Sequence, residues 1–322
     1  MTTLQCFTPE QRERAHELLA VRVAYMMGRK LEEADWSYVY CRAKGIKEGG
    51  WSNLNIDVMH QNLGIEHKML CYRSNASLAQ AFGTTLMHPA ATRSIRVPPL
   101  ESDPNEAMAD ILQQYRNLIA DRTTKVAQQN TSGLPEDMRT GWLLWQETLR
   151  QFLYFEERMR VPATDTLYAE WVERASEGGS RKGSKNLWVY ERATGRKRYS
   201  ITTSAGAKIQ PYFDVPPPND PNVYLFTVTG EQLIAGQVRI WLTGGTVREL
   251  ERVVGSLDIN ALSDAVLGAV GKLDAAKARA EVFEDVGKSV ALRDDAYTAL
   301  TKALPGVSDE HCIVLLLERM RG

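Results

Sequence analysis

The sequence predicts an α/β protein in which a mixed β-sheet is flanked by helices and followed by a helical C-terminal region. Two short segments within residues 54–70 alternate in side-chain character, as β-strands do. Apolar residues at helical spacing precede and follow them, and residues 187–242 are rich in β-branched and aromatic residues. The composition then shifts to Ala, Leu, Val and Asp. We therefore predict a core of residues 1–245 and a helical region of residues 246–322.

The composition is that of an ordinary soluble globular protein and excludes several classes. The 322 residues include 39 Lys and Arg against 40 Asp and Glu, and 43% are hydrophobic. No segment has the ~18 apolar residues that span a bilayer, and the N-terminal residues lack a signal-peptide core. We therefore expect a cytoplasmic protein without a membrane partner, and four free cysteines because no CxxC pair occurs. The near-zero net charge gives no general argument for a polyanionic partner, so DNA binding has to rest on local features.

The first two predicted elements are helices. Thr8 to Gln11 has the pattern of a capping box with proline at the first helical position. Apolar residues from Leu18 to Met27 then recur at helical spacing. A second helix is predicted from Lys30 to about Lys44, and Gly45 is placed to end it.

A β-hairpin is the next predicted element. Leu54–Met59 and Gly64–Leu70 form its strands, and His60–Leu63 forms a tight connection between them. Beyond the hairpin, residues 74–134 are predicted to be mainly helical, with a helix start at Asp103.

The remaining core is predicted to change from helix to strand. Part of residues 135–149 is expected to be helical, whereas Phe152–Phe155 fits either a buried strand or a helix end. Several strands follow within residues 187–242, with a hairpin turn at residues 193–195.

Strand parity places three chemically useful side chains together on the hairpin. Alternate residues of a strand share a face, so Glu66 and Lys68 project together, and the turn brings Asp57 beside them. His67 points to the opposite face. Two carboxylates suit Mg²⁺, and a nearby lysine can orient or deprotonate a water molecule or stabilise a phosphodiester transition state. This set predicts metal-assisted phosphodiester hydrolysis.

At these residues the sequence resembles the PD-(D/E)xK nuclease superfamily, which includes many type II restriction endonucleases. Asp57 matches the first acid, and Glu66, His67 and Lys68 match the ExK triplet, although Ile56 stands where the family has proline. The resemblance, carried by residues 55–70, implies a restriction-endonuclease-like core. It also implies a Mg²⁺-dependent, site-specific deoxyribonuclease with Asp57 and Glu66 as metal ligands. Duplex cleavage by such an enzyme implies a homodimer.

Three alternatives at the hairpin stay open. Nucleases of this type often use a further acid from a preceding helix, and Glu33 is our candidate among Glu32, Glu33 and Glu48. A structural interpretation makes Glu66 and Lys68 a solvated ion pair worth only ~0.2–1 kcal/mol. His60 and His67 together with the two acids would instead form a transition-metal site.

A basic segment after the helices is the predicted phosphate-binding region. Arg and Lys neutralise phosphates, and Arg, Lys and Gln also read base edges. The predicted DNA-binding residues are Lys182, Lys185, Arg196, Lys197, Arg198 and Lys208. The alternative is a solvated hairpin with a basic tip.

The function predicted from the sequence is a Mg²⁺-dependent endonuclease acting on double-stranded DNA, most simply a type II restriction enzyme. No phosphate-binding loop or dinucleotide fingerprint occurs in the sequence, so no nucleotide cofactor is expected. Two alternatives are a non-catalytic nucleic-acid-binding protein and a repair or phage-defence nuclease of the same superfamily.

Overall fold

The structure is a computed structural model that describes residues 3–26, 31–47, 56–72, 77–89, 95–174, 184–203, 208–234, 236–273 and 287–321. The helices within these residues are α1 (Pro9–Ala24), α2 (Glu33–Lys44), α3 (Pro104–Gln129), α4 (Gly244–Val254), α5 (Ile259–Ala269), α6 (Asp294–Ala303) and α7 (Asp309–Arg321). The strands are β1 (Thr3–Leu4), β2 (Val58–His60), β3 (Leu63–Tyr72), β4 (Thr85–Met87), β5 (Asp137–Gln146), β6 (Gln151–Arg158), β7 (Leu167–Arg174), β8 (Ser184–Glu191), β9 (Lys197–Thr202), β10 (Lys208–Asp214), β11 (Tyr224–Thr227), β12 (Glu231–Gln232), β13 (Gln237–Thr243) and β14 (Gly287–Arg293). The protein is therefore a mixed α/β protein with several sheets, and the α/β prediction is confirmed at this level.

The first two helices begin and end as their sequences predict. Thr8 and Gln11 form a capping box at the start of α1, with Pro9 in the first turn. Gly45 ends α2 with a φ of 67°, a left-handed conformation that glycine adopts without a Cβ clash. Both helices pack against one face of the central sheet, where their buried side chains join those of β3, β5, β6 and β11.

The central sheet has the strand order β1-β6-β5-β3-β2, and β11 also pairs with β6. Its pairings are antiparallel except between β3 and β5, which are parallel over the full ten residues of each strand. Parallel neighbours need a long crossover connection. Here the connection includes the 26-residue α3, which packs against the face of the sheet opposite α1 and α2.

A second sheet has the order β4-β10-β9-β8-β7 and is antiparallel throughout. Its inward face packs on α3 through residues that include Ile111, Leu187 and Ile201. The predicted turn at residues 193–195 joins β8 to β9, and Gly195 has a φ of 66° there. This sheet therefore lies on the α3 side of the molecule, next to the face that carries Glu66.

The C-terminal part contains a third sheet, β12-β13-β14, with α4 to α7 packed on it. The prediction of helix throughout residues 246–322 missed β14. That strand pairs with β13 along all seven of its residues, from Gln237↔Arg293 to Thr243↔Gly287. The predicted boundary near residue 245 also separates β13 from the strand it pairs with. The paired residues lie 44 to 56 positions apart in sequence, so a composition shift at residue 245 does not reveal the pairing.

Two helix predictions in the core were wrong. Within the predicted helical stretch of residues 74–134, α3 with its start at Asp103 is confirmed, but the described residues 77–89 and 95–103 contain one short 3₁₀ turn, β4 and irregular backbone. Residues 137–146 form β5 rather than a helix. From Thr140 to Gln146 this strand is buried on both faces, and residues 141–145 form an apolar run without alternation. Phe152–Phe155 lies in β6, which settles the alternative left open by the sequence.

In the described ranges, no helix has the length and apolar character needed to cross a membrane.

Candidate active site

The predicted hairpin is present, and it positions Asp57 at the end of an edge strand. β2 pairs with β3 from Val58↔Ile65 to His60↔Leu63 through the two-residue turn Gln61-Asn62. β2 begins only at Val58, so the amide of His67 lies beyond the last residue of β3 that β2 pairs with. This N–H donates instead to Oδ2 of Asp57 at 2.6 Å. The carboxylate therefore takes the place of a strand carbonyl.

Glu66 and Lys68 project from β3 on the α3 side of the sheet, as strand parity predicts. Glu66 is only 4% exposed and forms ion pairs with Lys68 and with Arg122 of α3, the latter at 2.5 Å. Arg122 is itself 1% exposed. A charged pair buried this deeply is stable only with good geometry and further hydrogen bonds, so Arg122 holds the Glu66 carboxylate in a fixed position.

Glu33 is the first residue of α2 and lies within electrostatic range of the hairpin. Glu33 is exposed, yet partial desolvation by its neighbours raises its pKa. Lys68 opposes this rise, and the negative charge of Glu66 adds to it. The helix preceding the hairpin thus brings the acid that the sequence singled out close to the other two. Of the other two candidate acids, Glu32 directly precedes Glu33 and is exposed, and Glu48 lies outside the described residues.

Asp57 is the acid whose ionisation is most disturbed. Burial raises its pKa to about 7, and the charge of Glu33 adds to the rise, while the His67 amide and Lys68 oppose it. A raised pKa from burial and like charge is typical of functional sites, although structural networks produce it too. The electrostatics therefore couple Glu33, Asp57, Glu66 and Lys68 in one cluster, which we call the hairpin acid site.

His67 lies on the opposite face of the sheet, as strand parity predicts. Its ring is fully buried among Trp36, Tyr40 and Tyr154, and Nδ1 is hydrogen-bonded to Oγ of Ser37 at 3.0 Å. Burial lowers its pKa to about 3. His67 is thus neutral and packed in the core, so the transition-metal arrangement with His60 and both acids is not formed.

Glu66 and Lys68 also line a cleft of about 190 Å³ between the central sheet and the second sheet. Its floor includes Trp142 and Glu157, with the indole N–H donating to the carboxylate at 2.8 Å. Burial raises the pKa of Glu157. The opposite wall includes Arg198, Tyr212 and other residues of the second sheet. The hairpin and one residue of the predicted phosphate-binding segment therefore meet across one cleft.

The predicted DNA-binding residues do not form one patch. Arg198 lies between Glu191 and Asp214, at 2.9 and 2.7 Å, and Arg196 is 3.8 Å from Asp214. Nζ of Lys185 donates to the Leu100 carbonyl on the side facing α3.

Two other members of that set lie elsewhere. Lys197 lies over the ring of Trp188, and Lys208 is exposed at the start of β10. Lys182 is outside the described residues. A local run of basic residues does not show which of them face carboxylates brought in from other strands.

Sequence reasoning missed Arg122 and Glu157. Arg122 occupies a position in the buried stripe of α3 that otherwise contains apolar residues such as Ile111, Leu112 and Val126. A charged residue in an apolar stripe was a readable signal for a buried partner. Glu157 had no comparable signal, because its strand was not assigned with certainty.

The donor set suits a hard cation only in part. Asp57 and Glu66 supply carboxylate oxygens, which Mg²⁺ prefers, but both oxygens of Glu66 already contact cationic side chains. Among the residues placed by the structure, no group of three or more His, Cys, Asp or Glu side chains could hold a metal ion. Mg²⁺ commonly binds through one or two carboxylates plus water and substrate phosphate, so two carboxylates are a compatible set.

Comparisons with known proteins give no relative. No family model matches the chain, no curated protein matches it, and no solved structure matches it.

Proposed function

We propose that this protein is a Mg²⁺-dependent endonuclease that hydrolyses phosphodiester bonds of double-stranded DNA. One observation carries the proposal: Glu33, Asp57, Glu66 and Lys68, chosen from sequence pattern, lie in electrostatic contact, and two of them open onto one cleft. The hairpin itself brings Asp57, Glu66 and Lys68 together, but Glu33 comes from α2, and its approach is not imposed by the local geometry of the hairpin.

Each residue of the hairpin acid site has a role in this proposal. Asp57 and Glu66 would hold Mg²⁺, which supplies charge neutralisation at the scissile phosphate and a more acidic water. Lys68 lies beside Glu66 at the cleft and would orient the attacking water or receive its proton. Arg122 fixes the Glu66 carboxylate, and Glu33 adds a further negative charge near Glu66 and Lys68.

The finer features of the proposal follow from the resemblance described above and, for the location, from the sequence composition. They are a restriction-endonuclease-like core, site-specific cleavage of the type II kind, a cytoplasmic location and a homodimer whose two sites face the two strands of a palindrome. Arg198 at the cleft wall and Lys208 at the edge of the second sheet are the positions best placed for phosphate contact.

The test is cleavage of a supercoiled plasmid by the purified full chain with Mg²⁺. We expect nicked or linear product with the unaltered protein and none with Asp57→Asn or Lys68→Ala. Lys302→Ala is the matched control, because Lys302 is an exposed lysine on α6. Equal cutting by all four proteins would refute the assigned roles, and no cutting with any divalent metal would refute the activity.

A second candidate is a nucleic-acid-binding protein without catalysis. The observation that favours it is the buried triplet Lys68–Glu66–Arg122, in which the acid is already neutralised by two cations. In that case DNA is retained in EDTA and stays uncut with Mg²⁺ or Mn²⁺.

A further inference from the structure

The second sheet has an outward face that carries stacked aromatic rings. Tyr168 and Tyr190 are cross-strand neighbours with centroids 5.1 Å apart and planes 18° apart. Trp188 is two residues from Tyr190 on the same face, and Tyr212 lies beyond Lys197. Among the described residues, none of these four rings belongs to a hydrophobic core cluster, and all are partly exposed. The helix that covers this sheet, α3, lies on its other side.

Cations lie directly on these rings. Nζ of Lys197 is 2.9 Å from the Trp188 centroid, 5.7 Å from that of Tyr190 and 5.6 Å from that of Tyr212. The guanidinium of Arg192 is 5.8 Å from the Tyr168 centroid. Two acids lie near this face: Glu170, and Asp214, which is already paired with Arg198 and Arg196. The cations Lys197 and Arg192 therefore outnumber the remaining acid. The face therefore combines flat rings with net positive charge.

We propose that this face, the aromatic platform of Tyr168, Trp188, Tyr190, Lys197 and Tyr212, binds unpaired bases of a single-stranded nucleic acid. Aromatic rings stack on base faces, and cations beside them neutralise the phosphates. A duplex hides its base faces within its own stack, so the platform fits a single strand better. An apolar protein partner fits poorly, because Val172 is the sole aliphatic side chain at the described outward positions of β7 to β10.

The bound state is favoured over the present contact between Lys197 and Trp188. Stacking of one base on an aromatic ring is more favourable than an exposed cation–π contact. A base that displaces the ammonium from the indole also frees it to contact the neighbouring phosphate. Tyr212 belongs to the platform and to the cleft wall, so the two surfaces are continuous. This proposal goes beyond the endonuclease proposal, because binding on the platform requires no cleavage.

The experiment measures fluorescence anisotropy of labelled (dT)₂₀ and (rU)₂₀ with the full chain in EDTA. We expect Trp188→Ala to weaken binding about 5- to 100-fold, with a smaller loss for Trp188→Phe. Tyr38→Ala is the matched control, because Tyr38 also carries an arginine over its ring, Arg22 at 4.0 Å, but lies on α2. Thermal melting of each variant establishes that it is folded.

Two further arms separate stacking from charge. An abasic 20-mer of equal charge should bind at least 5-fold more weakly than (dT)₂₀, because it has phosphates without bases. Lys197→Gln should reduce the slope of log K against log salt concentration by about 0.7, whereas Trp188→Ala should leave that slope unchanged. A preference for (dT)₂₀ or (rU)₂₀ identifies the natural source of the strand.

The outcomes of these experiments decide the platform proposal, and they do so independently of the endonuclease proposal. Equal affinity for the abasic strand, an unchanged affinity of Trp188→Ala, or tighter binding of a neutral glucan oligomer overturns the platform. Retained (dT)₂₀ binding by a protein that cleaves no plasmid supports the platform and refutes only the endonuclease.

Discussion

Two buried glutamates on opposite faces of the central sheet show what separates a structural charge cluster from a candidate site. Glu156 of β6 lies on the α1–α2 face and accepts hydrogen bonds from Tyr154 and Arg139, both at 2.9 Å. Glu66 of β3 lies on the α3 face with Arg122 and Lys68. Both carboxylates are buried and both contact an arginine, so burial and pairing alone do not distinguish them.

The difference lies in the neighbours and in access to solvent. Burial raises the pKa of Glu156, and a cation and hydroxyl groups oppose the rise. Beside Glu66, in contrast, Asp57 experiences the like charge of Glu33, and Glu66 itself faces a cleft. A cluster of acids in excess that opens to a cleft is poised to bind a cation, whereas the Glu156 carboxylate is held by Arg139 and Tyr154 inside the core.

The largest expected effect is on cleavage by matched substitutions on the two faces. Glu66→Gln should reduce plasmid cleavage about 10²- to 10⁴-fold, because it removes a charge at the reacting centre. Glu156→Gln is the same isosteric substitution on the other face. It should alter cleavage less than about 5-fold, because it changes one buried hydrogen bond away from the cleft. Initial rates with Mg²⁺ measure both, and equal losses would mean that the two clusters do not differ in function.

The next effect is on stability. Arg139→Ala should lower the free energy of unfolding by about 3–5 kcal/mol at pH 8, because Glu156 is left buried without its cation. Arg158→Ala is the control: Arg158 is 66% exposed and 3.8 Å from Asp137, so its loss should be at most about 1 kcal/mol. Urea denaturation measures both, and similar losses would show that the Glu156 cluster is not held by Arg139.

The third effect is the pH dependence of stability at Asp57. Its folded pKa of about 7 lies above its ordinary value of 3.8, so the folded protein binds the proton more tightly. The resulting stabilisation is present below pH 3.8 and is lost as the pH rises through about 7. Asp57→Asn should therefore be more stable than the unaltered protein at pH 8, by about 2–4 kcal/mol, and similar to it at pH 4.

Glu249 provides a control of opposite sign for that experiment. Arg252 and then Arg321 lower its pKa to about 2, so its contribution is present at neutral pH and is lost in acid. Glu249→Gln should give no gain in stability at pH 8. A gain in both variants would indicate a general effect of removing negative charge rather than a property of Asp57.

The smallest expected effect is steric and tests the packing of the α1–α2 face. A Cβ on Gly141 would lie 2.4 Å from Oη of Tyr154 and 2.8 Å from Cδ2 of His67. Gly141→Ala should lower the free energy of unfolding by about 1–3 kcal/mol through overpacking. Gly195→Ala tests a different cause, because nothing lies within 4 Å there and only its φ of 66° opposes a Cβ. A stability of Gly141→Ala equal to that of the unaltered protein in thermal melting would contradict the rigid packing of this face.

Local patterns predicted the parts of the molecule that depend on local geometry. The capping box at Thr8, the Gly45 helix end and the common face of Glu66 and Lys68 all follow from a few consecutive residues. β5 could not be predicted in the same way, because burial on both faces removes the alternation that marks a strand.

The site shows the same limit. The pattern brought Asp57, Glu66 and Lys68 together, but the approach of Arg122 depends on how α3 rotates against the sheet, which a single sequence does not reveal. The acidic partners of Arg198 come from β10 and from the end of β8, so a local count of positive charge overstated the charge available to DNA.

The short β2 has a further consequence for self-association. Beyond β2, the backbone of β3 would present unpaired groups to any passing strand, and such an edge promotes aggregation. Side chains occupy it instead: Asp57 accepts from the His67 amide, and Nε2 of His88 donates to the Met69 carbonyl at 3.0 Å. The residue proposed to hold the metal therefore also protects a sheet edge, and Asp57→Ala, unlike Asp57→Asn, would expose a template for another chain.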